Sequence, residues 1–76
     1  MRRKNNCMIF TFRTTADAIA MEKFCIAQNI AGRLIPTPRE ITAGCGLAWR
    51  MTDEEYERQR ERLTIFKYET VTALVL

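Results

Sequence analysis

Met8, Phe10 and Phe12 occupy alternate positions within Cys7–Phe12, a period of two that predicts a short strand with those three side chains on one face. The period then lengthens. Thr14 and Asp17 match the S/T-x-x-D/E capping pattern, and Ala20, Met21, Phe24 and Cys25 recur at helical spacing, so a helix is predicted over Ala16–Gln28. Asn29 to Gly32 supplies its stop, because Asn and Gly tolerate the left-handed backbone that ends helices. Arg33–Ile35 reads as a second strand halted at Pro36, since Pro36 and Pro38 have no amide hydrogen to give a ladder. A loop, Thr37 to Gly44, follows. From Cys45 or Gly46 onward, Leu47, Trp49 and Met51 alternate with Ala48 and Arg50 in a third strand, closed by a second capping box at Thr52 and Glu55. Asp53–Leu63 is a charged helix with acids in its first turn and Arg58, Arg60 and Arg62 towards its end, which complements the helix dipole. Glu54 and Arg58 form an i,i+4 pair, and Tyr56 and Leu63 alone mark a buried stripe. Phe66–Val75, rich in aromatic and β-branched residues, predicts the last strand.

The order is β-α-β-β-α-β, the split βαβ or ferredoxin-like topology: an α+β fold with an antiparallel four-stranded sheet and both helices on one face. The 76 residues suffice for one domain, expected over 7–76 after a flexible basic tail at 1–6. With no His, the chain has no Ser-His or Cys-His nucleophile pair and no imidazole metal ligand. The net charge of +3 comes from Arg2, Arg3 and Lys4; the remaining Lys and Arg match the 9 Asp and Glu. Without a basic stripe or an aromatic stacking cluster on the domain, no nucleic-acid partner is expected. No apolar run approaches a membrane span or a signal peptide, so the expected setting is cytoplasmic with no membrane partner. Cys7, Cys25 and Cys45 stand too far apart for C-x-x-C chemistry, and neither metal nor cofactor is expected.

Topology also sorts the cysteines. The loop between the second and third strands lies at the same end as the start of the first helix, so Cys45 belongs to that end and Cys7 and Cys25 to the other. A strand of five or six residues spans about 17–20 Å, whereas a disulfide needs α-carbons within about 7 Å. Cys45 is therefore not expected to pair with either. Cys25 falls on the apolar stripe with Met21 and Phe24 as a core residue, and Cys7 at a strand edge is expected to pack. Cys45 sits between Gly44 and Gly46, which leaves the sulfur accessible and frees the backbone to turn amides towards an anion. The N-terminus of the first helix, at Thr14 and Thr15, is expected nearby, with Thr42 and Arg39 in the loop and Arg13 as a further cation. Each would favour the thiolate and so a nucleophile that needs no histidine. The other reading of Gly44-Cys45-Gly46 is a tight turn with a small filler.

Pro36-Thr37-Pro38-Arg39-Glu40-Ile41, followed by Cys45-Gly46-Leu47-Ala48, resembles the central signature of the selenium/sulfur (Se/S) carrier protein-like family of small bacterial proteins. Thr11, Phe12, Ala18 and Glu22-Lys23 extend the resemblance over most of positions 8 to 51. It implies that Cys45 accepts sulfur or selenium as a persulfide or selenopersulfide and hands it on, with Arg39 and the Pro36/Pro38 loop as accompanying positions. The implied partners are donor and acceptor proteins. Thr42 keeps a hydroxyl where the family often has serines, and Gly44 has none. The alternative is a non-catalytic interaction or dimerisation module whose open sheet face carries Trp49, Leu47 and Met51, a homodimer being its simplest form.

Overall fold

The computed structural model describes residues 6–42, 44–66 and 68–75; the basic tail Arg2-Arg3-Lys4 lies outside them. Its elements run β1 (Asn6–Thr11), α1 (Thr15–Ala27), β2 (Arg33–Pro36), β3 (Leu47–Thr52), α2 (Asp53–Leu63) and β4 (Thr70–Val75). The sheet order is β2-β3-β1-β4 with every neighbouring pair antiparallel, which is the ferredoxin-like arrangement. The N-cap hydroxyl half of each expected capping box forms, and the returning carboxylate half does not. Thr14 Oγ1 accepts from the Asp17 amide and Thr52 Oγ1 from the Glu55 amide, each at 3.1 Å; a cap of this kind stabilises by about 1 kcal/mol. α1 ends where Asn29 adopts a φ of 58° and the Ile30 amide returns to the Cys25 carbonyl at 2.8 Å. Among the described residues no helix is long and apolar enough to cross a membrane.

The alternation in β1 divides the sheet into two faces. Phe10 and Phe12 join Trp49 and Met51 of β3 against Ala18, Met21 and Cys25 of α1 and Leu63 of α2, all buried, with Met8 and Leu47 packed alongside. Trp49 is 1% exposed. It belongs to the core between sheet and helices, so Trp49, Leu47 and Met51 do not form an open apolar face. Its ring needs Gly32, where an added β-carbon would stand 2.5 Å from Trp49 Cζ2. On the opposite face Cys7, Ile9 and Ala48 form a second buried cluster, flanked by Ile35, Leu74 and, from the β2–β3 loop, Ile41. That loop folds over part of the face the helices leave uncovered.

Two local expectations are revised. β4 begins at Thr70 and not at Phe66, because the aromatic residues before it serve as wedges. Phe66 meets Phe24 edge-on at 4.7 Å and Tyr68 meets Phe10 at 5.0 Å, contacts that compete with strand pairing for the same residues. The Glu69 amide reaches the Thr11 carbonyl at 2.7 Å and leads into the ladder. In α2, Tyr56 is half-buried and Leu63 buried as the stripe requires, but the charged residue Glu55 is buried with them.

Candidate functional site

Beyond the last β2–β3 pair, Pro36 with Leu47, the Thr37 amide donates to the Gly46 carbonyl at 3.0 Å and extends the hairpin by one step. The Cys45 amide then donates to the Phe12 carbonyl at 2.9 Å, which staples the loop across the end of β1. Gly44 and Gly46 make this turn with φ values of 97° and 98°, a region L side chains avoid. At Gly44 a β-carbon would also sit 3.0 Å from Thr11 Cβ and 3.2 Å from the Phe12 carbonyl oxygen, whereas Gly46 has open space around it.

Cys45 is partly exposed. One side of it packs against the core cluster that includes Phe12 and Trp49, and Sγ lies 3.9 Å from the Leu47 carbonyl oxygen. The sulfur thus leans on hydrocarbon with its other side open, less bare than a sulfur held only between glycines. Its amide is taken up by Phe12 and does not face an anion, which removes one donor from the expected cradle.

The structure brings some of the other expected residues to this end and leaves others apart. Phe12 precedes the N-cap by two residues, so the loop stapled to it stands at the start of α1, as the topology required. Thr14 Oγ1 is engaged in capping; Thr15 and Thr42 are exposed. Arg39 and Arg13 are exposed and form no ion pair among the described residues. Arg13 lines a cleft of about 560 Å³ with Thr14, Asp17, Thr64, Phe66 and Tyr68. Pro36 closes β2, and the Pro38 carbonyl accepts from the Ile41 amide at 2.9 Å. This turn delivers Ile41 to the second apolar cluster, so the proline segment has a packing task of its own.

The other thiols differ. Cys25 is fully buried, and burial pushes its thiol up to about 11, with Arg62 opposing the shift and Glu55 adding to it. Cys7 is fully buried in the second cluster, paired in register with Thr52 and Leu74 at the opposite end of β1 from Phe12. Sequence reasoning missed Glu55. Its Oε2 accepts from the Ala31 amide at 3.2 Å and from Gln59 at 3.3 Å, and its Oε1 pairs with Arg58 at 2.5 Å in place of the expected Glu54–Arg58 pair. The Ala31 amide first, then the Arg58 hydrogen bond, holds its carboxyl below the usual range despite burial. Its place in the capping box was legible, but the carboxylate turns to the α1–β2 loop.

A family model described as "Putative Se/S carrier protein-like" matches residues 7–70, a span that includes the whole hairpin and the Cys45 turn. No curated protein and no solved structure matches the chain. The match covers most of the chain, which belongs to the Se/S carrier protein-like family.

Proposed function

We propose that the chain is a thiol relay for reduced sulfur or selenium, with Cys45 as the carrying residue and with donor and acceptor proteins as its partners. The observation that carries this reading is the position of Cys45 within the matched family region: partly exposed, on a turn held by two glycines and two backbone hydrogen bonds, beside the start of α1. Transfer of this kind needs an accessible sulfur on a defined backbone more than it needs a deep pocket.

The chemistry is an exchange without net oxidation. The Cys45 thiolate attacks the outer sulfur of a donor persulfide, R–S–SH. As the new S–S bond to Cys45 forms, the donor S–S bond breaks and the donor leaves as the thiolate R–S⁻. The proton stays on the outer sulfur, giving Cys45–S–SH, and an acceptor thiolate repeats the attack to release Cys45. Selenium in the outer position follows the same balance. Arg39, exposed in the loop, and Arg13, at the cleft beside α1, supply positive charge for an anionic partner group approaching this end. Pro36 and Pro38 restrict the loop that presents the thiol. Thr14, Thr15, Thr42, Gly44 and Gly46 border the approach, with the glycines shaping the turn.

Incubation with a low-molecular-weight persulfide donor followed by intact-mass and site-mapping measurements tests the proposal. One added sulfur or selenium on Cys45, absent in Cys45→Ser, is expected. Equal loading of the Cys45→Ser variant would overturn the assignment.

A further inference from the structure

At the end of the sheet remote from the Cys45 turn, β2 begins two residues short of the end of β3. Arg33 is the first residue of β2 and pairs in register with Arg50, so Met51 and Thr52 continue β3 without a β2 neighbour. The gap is a cleft of about 250 Å³ lined by Ala31, Gly32, Arg33, Arg50, Met51 and Thr52. At about 30 Å³ for a water molecule in the liquid, it has room for a small ion and part of its hydration shell.

Two features of this cleft oppose the stability of the chain alone. Directly opposed residues in an antiparallel pair have β-carbons about 4.5–5.5 Å apart, and like charges there are destabilising; Arg33 and Arg50 occupy such a pair. The Nε of Arg50 is also buried with no hydrogen-bond partner, and an unmet buried donor is costly, more so on a charged group. No carboxylate relieves either. Neither arginine forms an ion pair among the described residues, and Glu55, the buried carboxylate of α2, bonds Ala31 and Arg58 instead.

We propose that Arg33 and Arg50 form a binding site for a small tetrahedral oxyanion of the phosphate class, carried free or as the phosphoryl group of a larger ligand. An anion between the two guanidinium groups cancels the cross-strand repulsion and draws the Arg50 side chain out of a position in which its Nε has no partner. Guanidinium groups suit this ligand because their fixed forks match oxyanion geometry. The site lies apart from Cys45 and does not depend on the sulfur-relay reading.

Thermal unfolding and amide chemical shifts of the whole chain, titrated with inorganic phosphate and with a phosphate monoester against chloride at matched ionic strength, test the site. The midpoint temperature is expected to climb with the logarithm of ligand concentration, with the Gly32 and Arg33 amides moving. Arg33→Gln and Arg50→Gln should each weaken the apparent affinity by roughly tenfold or more. Arg33→Gln, exposed on an edge strand, should in addition leave the chain no less stable in phosphate-free buffer, because it removes the repulsion. Loading of Cys45 should be unchanged in Arg33→Gln. A response no larger than that to chloride, or an undiminished response in Arg33→Gln, would overturn the proposal.

Discussion

Cys25 and Cys45 touch the same hydrophobic core, yet their surroundings give them opposite accessibility. Cys25 stands on the inward face of a helix, fully buried, with its thiol pushed up to about 11. Cys45 reaches the core from its edge, partly exposed on a turn between two glycines. What separates them is the backbone that carries them: helix α1 surrounds one sulfur with packed residues, and the hairpin mouth leaves the other partly open. The accessibility of a thiol in this protein is therefore set by which element carries it.

The largest expected effect exchanges the two thiols' roles by substitution. Cys45→Ser should abolish persulfide loading measured by mass, while Cys25→Ala should leave loading intact; loss of loading in Cys25→Ala with its fold retained would break the contrast. The turn comes next. Gly44→Ala combines a positive φ with contacts at 3.0 and 3.2 Å and should cost about 2–3 kcal/mol in denaturant unfolding. Gly46→Ala, with the same φ and open space, should cost about 1–2 kcal/mol. Equal losses would mean that the approach of the loop to Thr11 and Phe12 contributes nothing.

Glu55→Gln should cost about 1–3 kcal/mol, since it weakens the bonds to Ala31 and Arg58. Because the folded carboxyl is held below its ordinary value of 4.5, its contribution is complete above that value and fades as pH falls through the lower folded value. The variant should show a shallower acid limb. At the other extreme, the raised Cys25 thiol favours the neutral form, so its contribution holds below 9.0 and is lost as pH rises through about 11. Cys25→Ala should flatten this alkaline limb. The smallest effect belongs to Arg39→Ala: an exposed charge should change the loading rate by about twofold at low salt and by less as salt screens it.

Most of the fold was legible because local signals and tertiary needs coincide in it. The alternation of Met8, Phe10 and Phe12 marks the face that the helices cover, and the Thr14 and Thr52 boxes mark both helix starts. The bounds of α2 follow from its charge gradient. Where one residue type serves two uses, the pattern misleads: Phe66 and Tyr68 have strand composition but act as aromatic wedges. At the candidate site the end of the molecule was legible from connectivity alone. The fate of the Cys45 amide was not, because its bond to Phe12 joins residues 33 positions apart and leaves no periodic trace. Nor does spacing reveal that Glu55, in a run of charged residues, turns inward, or that Ile41 reaches the second cluster.

Competitive alkylation of the native chain with limiting reagent, read by site-resolved mass spectrometry, compares the thiols in one sample. Cys45 is expected to react more than about 100-fold faster than Cys25, whose exposure requires an opening of the packed α1 face. Comparable native-state rates at the two positions, or a slower rate at Cys45, would contradict the assignment of Cys45 as the carrying residue.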